Sequence, residues 1–222
     1  MVAIESKTST SRVLGLFAEL LEYPRPGVAQ TARDCRALIA SESAEAAALL
    51  GEFAAFAERT PHSTLEEIFT ATFDLNASCH PYVGYHMFGE AYKRSAFMLE
   101  LQDRFREHDF DPGVELPDHI AVLLRFMSLS GDAELTREIV LEALLPTLEP
   151  MTVPPESEPE TETIPGIGPR LVDEGEAAPE VFDTGNDYRR VLHALRLILQ
   201  VRYGMPEEVR PIPVPDQALL IS

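Results

Sequence analysis

The chain has 222 residues, 45% of them hydrophobic, which suits one domain with a sizeable core. Eighteen Lys and Arg stand against thirty-seven Asp and Glu, a formal charge of -19, which argues against nucleic acid or an anionic membrane as the main partner and favours a cationic one. Two cysteines, Cys35 and Cys79, make neither a disulfide framework nor a zinc pattern. With no basic-then-apolar leader at the start and no run of eighteen apolar residues, a soluble cytoplasmic protein is expected.

In chain order, Val13, Leu14, Phe17, Leu20 and Leu21 form an apolar stripe that predicts a first helix over 9–22, stopped by Tyr23-Pro24-Arg25-Pro26-Gly27. Further helices are predicted over about 28–40 and over the alanine-rich stretch 43–58. Thr64-Leu65-Glu66-Glu67 has capping-box spacing, so a helix is expected to begin there and to carry Leu65, Ile68, Phe69 and Phe73. From Asp74 to Tyr85 the period breaks. Asn76, Ser78, Pro81 and Gly84 alternate with Cys79, His80, Tyr82, Tyr85 and His86, which reads as a loop with unusual chemistry. Helix returns over about 88–107.

Glu115-Leu116-Pro117-Asp118-His119-Ile120 leads into the next helix. Pro117 suits the first helical position, Asp118 would fall in the first turn, and Leu116, Ile120, Leu123, Leu124 and Met127 mark one apolar face. Gly131-Asp132 punctuates, and 133–148 is predicted as one helix. Over 149–184 prolines recur among glutamates, which reads as an acidic, proline-rich insertion. A last helix is expected over 186–203, followed by a proline-rich tail, 206–222. No strand alternation or internal repeat is visible. The expected fold is all-α: a single helical-bundle domain, 1–222, of about seven helices.

The search for catalytic chemistry excludes more than it finds. Phosphate-binding and nucleophile-elbow motifs are missing, and Gly166 and Gly168 lie in the acidic insertion without a basic anchor. Cys79, His80, His86 and His119 match no common zinc spacing. Asp118 and His119 are adjacent on a predicted helix and point about 100° apart, which does not suit an orienter–base pair, and Ser78 and Cys79 are nucleophile candidates only by exclusion. What remains is a pairing of aromatic and acidic residues. Tyr82 and Tyr85 in a broken loop, together with Asp118, would make a groove for an apolar segment carrying arginine.

Two motifs extend this reading. Phe73-Asp74-Leu75-Asn76, Pro81-Tyr82 and Tyr85-His86-Met87-Phe88-Gly89-Glu90 resemble the middle of the nitrate reductase delta-subunit (NarJ-type) chaperones. Glu115-Leu116-Pro117-Asp118-His119-Ile120, running into Arg125-Phe126-Met127, resembles a signature shared with TorD- and DmsD-type chaperones. The resemblance covers roughly residues 9–148. It implies an all-helical cytoplasmic protein that is not an enzyme; no metal or cofactor is expected. It also implies a partner: the apo-catalytic subunit of a dimethyl sulfoxide reductase-class molybdoenzyme, bound through its N-terminal leader or a remnant of it until the molybdenum cofactor is inserted. Either a monomer or a dimer fits. By position, the leader-binding surface would involve Phe73, Pro81, Tyr82, Asp118 and His119, with Tyr85 and His86 from the same loop. A generic acidic helical adaptor without a molybdoenzyme client is the alternative.

Overall fold

The computed structural model describes residues 2–75, 79–152 and 187–204. Ten α-helices run in the order α1 (Val2–Leu20), α2 (Val28–Ile39), α3 (Ala44–Arg59), α4 (His62–Phe73), α5 (Val83–Phe88), α6 (Tyr92–Glu107), α7 (Ile120–Ser130), α8 (Ala133–Ile139), α9 (Leu145–Thr152) and α10 (Asp187–Tyr203), with a π turn, Val140–Leu144, between α8 and α9. The described residues contain no strand, only one isolated bridge between Tyr82 and His119. The all-α expectation holds. Most of the insertion and the tail beyond 204 lie outside the described residues, as do Asn76 and Ser78.

Local chemistry sets the helix ends. The Ser43 hydroxyl accepts the Ala46 N–H at 3.1 Å and so caps α3. Gly131, at φ 67, ends α7 in the left-handed region, where glycine carries no Cβ penalty. Asp132 then caps α8 by accepting the Glu134 and Leu135 N–H groups, each at 3.0 Å. In α2 the buried residues Val28, Ala32, Cys35 and Ile39 sit on one face, which packs on α3. Burial pushes the Cys35 thiol up to about 12, which suppresses the thiolate.

α7 is the central helix, and it packs along α1. Ile120 to Leu124, Phe126 and Met127 are all buried, so almost its whole circumference is core. α10 packs against α3 and α9. Its Tyr188 ring is completely buried and lies 5.1 Å from Phe53, 5.3 Å from Phe69 and 5.5 Å from Phe73. Arg189 donates to the Met151 carbonyl at 3.2 Å and Arg196 to the Thr152 hydroxyl at 2.7 Å. The helices on either side of the acidic segment are thereby joined directly.

Four sequence expectations are corrected. Helix α4 starts at His62, not Thr64, because the Pro61 carbonyl already accepts the Leu65 N–H at 3.0 Å. Gly89, at φ 62, separates a short α5 from α6, so Tyr85 and His86 are helical and the expected helix 88–107 begins at Tyr92. The expected helix 133–148 is interrupted by the π turn. Pro146 has no N–H for the Glu142 carbonyl and its ring crowds that oxygen, and the wider turn accommodates it. Finally, α7 is capped by His119. Pro117 and Asp118 therefore precede the helix, and Leu116 is 44% exposed rather than on its apolar face.

The Tyr188 hydroxyl is buried with no hydrogen-bond partner among the described residues. Tyr188→Phe should therefore keep or raise the melting temperature, since it removes an unsatisfied group and leaves the ring cluster intact. Tyr188→Ala should cost about 3–5 kcal/mol in urea unfolding.

Candidate functional site

The two sequence motifs meet in space. The Val83 N–H donates to the Asp118 carbonyl at 2.8 Å, and the Ile120 N–H donates to the Pro81 carbonyl at 2.7 Å. These bonds clamp the chain before α5 antiparallel to the chain before α7. They set the Tyr82 ring edge-on to His119, with centroids 5.5 Å apart.

Beneath the clamp, Asp118 is 0% exposed. Arg94 of α6 reaches both carboxylate oxygens, with Nε 2.9 Å from Oδ2 and a terminal nitrogen 3.4 Å from Oδ1. The same guanidinium lies over the Tyr82 ring, 5.3 Å from its centroid. A Cβ at Gly84 would come within 2.8 Å of Asp118 Oδ2 and 3.1 Å of both Arg94 Cγ and Phe97 Cδ1. Only glycine leaves room for the pair.

His119 Nδ1 accepts the Ala121 N–H at 3.1 Å, which puts the ring proton on Nε2. Burial lowers the His119 pKa against the opposing pull of Glu115, Asp118 and Glu22, and Arg125 adds to the lowering. Asp118 and His119 thus point to different tasks, one to an internal arginine and the other to a helix cap. No third residue joins them as nucleophile, and Cys79 is buried, its thiol directed at the Met151 carbonyl. Among the described residues, no group of three His, Cys, Asp or Glu is placed to hold a metal ion.

Pro81, Tyr82 and His119 line a cleft of about 580 Å³. Its other walls come from the end of α1, from α4 and from the loop before α7. Tyr23 and Phe69 supply aromatic surface, and Glu22, Asp74 and Glu115 supply carboxylates. Arg125 closes one side, bound to Glu22 at 2.6 Å and to the Pro112 carbonyl at 2.9 Å. Arg25 also pairs with Glu22, at 3.5 Å. Asp74 and Glu115 are exposed and make no ion pair among the described residues. Their field is felt at Tyr82, whose phenol pKa is raised first by burial and then by Glu115, Asp74 and Asp118.

The remaining predicted site residues lie elsewhere. Phe73 is 1% exposed, packed on Phe69 and Tyr188 in the core. His86 bonds the His80 carbonyl through Nε2 at 2.7 Å, and His80 bonds the Phe73 carbonyl through Nδ1 at 3.1 Å. Tyr85 stacks edge-on between these two imidazoles. This cluster fastens the loop to the end of α4 and contributes no lining residue to the cleft. Sequence reasoning did not select Glu22, Tyr23, Phe69, Asp74, Glu115 or Arg125 as site residues. Asp74, Glu115 and Arg125 all stand within the quoted motifs.

The model of the nitrate reductase delta-subunit family matches residues 38–150, just over half of the chain. The chain belongs to that family, which is one of maturation chaperones rather than catalytic enzymes. A crystal structure of a candidate redox enzyme maturation protein from Archaeoglobus fulgidus is similar at 22% identity, with a TM-score of 0.42, covering 63% of this chain and 83% of that one. The comparison with curated proteins gave no match. No helix among the described residues is long and apolar enough to cross a membrane.

Arg94→Leu strands a buried carboxylate and should lower stability by about 3–5 kcal/mol, measured by urea unfolding. Gly84→Ala should destabilise by about 1–3 kcal/mol through overpacking against the same pair. A pH effect has a defined sign. His119 binds a proton less readily folded than unfolded, so its contribution is complete above the unfolded value of 6.5 and declines as pH falls below it. His119→Asn keeps a capping side chain without the titration. Its unfolding free energy should therefore decline less than the wild type's between about pH 7.5 and pH 5.5.

Proposed function

We propose that the chain is a cytoplasmic maturation chaperone that holds a cationic and apolar segment of a redox enzyme's catalytic subunit in the Tyr82–His119 cleft. The client class favoured by the two motifs is the apo-catalytic subunit of a dimethyl sulfoxide reductase-class molybdoenzyme. The bound segment would be its N-terminal leader or the remnant of one, held before molybdenum cofactor insertion and before export or membrane attachment. The observation that carries this reading is the pairing of an aromatic wall with two carboxylates, Asp74 and Glu115, that have no cation of their own among the described residues. A partner arginine would meet these exposed carboxylates beside aromatic surface, and the partner's own apolar side chains would shield the charge-assisted bond from water.

In this reading the predicted site residues divide by task. Tyr82, His119 and Pro81 touch the client. Asp118, already occupied by Arg94, positions the wall that does so. Phe73 supports α4 from the core, and Tyr85 and His86 hold the loop.

Titration calorimetry with the N-terminal peptide of a dimethyl sulfoxide reductase-class catalytic subunit from the same organism tests the proposal. Wild type should bind. Tyr82→Ala should lose about 2 kcal/mol, roughly thirtyfold, and Glu115→Lys should weaken binding without lowering the melting temperature. Asp118→Asn should lower the melting temperature as well as affinity. If the folded wild type binds neither this peptide nor the whole apo-subunit, the chaperone reading fails and the acidic adaptor takes its place.

A further inference from the structure

A second concave surface shares no lining residue with the cleft. It lies between α5, α6, α8 and the π turn and encloses about 250 Å³. Half-buried Met87, Phe88, Phe97 and Leu135 face into it over a floor that includes buried Leu101 and Ile139. Phe88 and Phe97 meet edge-on at 5.8 Å. The rim carries Glu100, Glu138 and Glu142, all exposed and without an ion pair among the described residues. The one rim cation, Arg104, is already paired with Glu107 at 3.6 Å.

The π turn shapes this rim. Because Pro146 forces a wider turn, Glu142 and Ala143 are carried on it, with the glutamate on the rim and the small alanine at the wall. The volume falls below the roughly 300 Å³ at which pockets for drug-sized ligands begin, so the slot suits a few protein side chains better than a small molecule.

We propose that this groove docks a cationic amphipathic helix of a partner protein. Apolar side chains of one helix face enter the slot, and flanking Lys or Arg meet Glu100, Glu138 and Glu142. Charge selects this occupant. A second copy of the chain would bring its own charge of -19 against an acidic rim. The chain's own segments outside the described residues are no better suited: 153–186 carries nine acidic side chains against one basic, and 205–222 three against one. The inference does not rest on the function proposed for the cleft.

A fluorescein-labelled synthetic Lys/Leu amphipathic helix, followed by anisotropy, tests it. Its Glu/Leu counterpart and a scrambled Lys/Leu sequence serve as controls. The Lys/Leu helix should bind the full chain, and the two controls should bind far more weakly. The double variant Glu138→Lys/Glu142→Lys should weaken binding about tenfold or more, and the milder Glu138→Gln about threefold, with helix content unchanged by circular dichroism. The double variant Asp74→Lys/Glu115→Lys, which alters only the cleft, should change it less than about twofold. Absence of binding overturns the proposal. So does equal binding of the scrambled peptide, or an equal loss in both double variants, since either reveals general attraction to an acidic protein. A dimer in sedimentation that Leu135→Glu dissociates would assign the groove to a second copy and overturn it as well.

Discussion

Two backbone hydrogen bonds, from Val83 to the Asp118 carbonyl and from Ile120 to the Pro81 carbonyl, hold together segments more than thirty residues apart. Each bond is worth only about 1 kcal/mol net. Their effect is geometric. They fix where α5 and α7 begin, and they set the side chains of the intervening residues on both sides of the clamp. Tyr82 and His119 turn toward the cleft, while Asp118 turns inward to Arg94. One constraint thus produces both a recognition wall and the buried pair that supports it.

The Asp118–Arg94 pair limits how the wall can move. A carboxylate with no exposure is tolerable only while its cation stays in place. Arg94 is at once the counter-ion of Asp118 and the cation over Tyr82, so the ring, the carboxylate and α6 form one unit. The nearness of Gly84 explains why α5 can lie so close to that unit. Placing an arginine within the chain on the carboxylate also changes which acids are available to a cationic partner. That role passes outward, from Asp118 to Asp74 and Glu115.

Most of the fold was legible because helix periodicity and punctuation are local signals. The ends of α2, α3 and α10 fall within a residue or two of their expected positions, and Gly131-Asp132 ends one helix and caps the next as their chemistry dictates. Three of the corrected boundaries have local causes, at Pro61, Gly89 and Pro146, and only at the start of α7 did a non-local contact override a local rule. Pro117 looked like a helix start, but it opens a turn that the His119 N–H closes on the Leu116 carbonyl, and the clamp to Pro81 then holds His119 extended so that its ring supplies the cap. The break at the π turn was also readable in principle from Pro146, whose missing N–H the apolar stripe concealed. The site was legible in part. Motif residues Pro81, Tyr82 and His119 do come together, yet periodicity carries no information on the partner of a carboxylate. Arg94, on a helix with little apolar asymmetry, gave no signal of its role.

Sign and position of charge connect the two concave surfaces. The excess of carboxylates over the whole chain sets a long-range field that attracts cations but cannot locate them, since exposed charges more than about 8–10 Å apart are largely screened. Location comes from where carboxylates lack internal partners beside apolar surface. Elsewhere on the body, some basic side chains tie one element to another, as in Arg202 with Glu42 and Arg190 with Glu52. Two sets of acids without an ion pair among the described residues, Asp74 with Glu115 and Glu100 with Glu138 and Glu142, each stand beside aromatic and aliphatic side chains. A partner matched to either must therefore carry cationic and apolar groups close together. A uniformly basic partner would gain the field without the burial, and a purely apolar one would leave the carboxylates uncompensated.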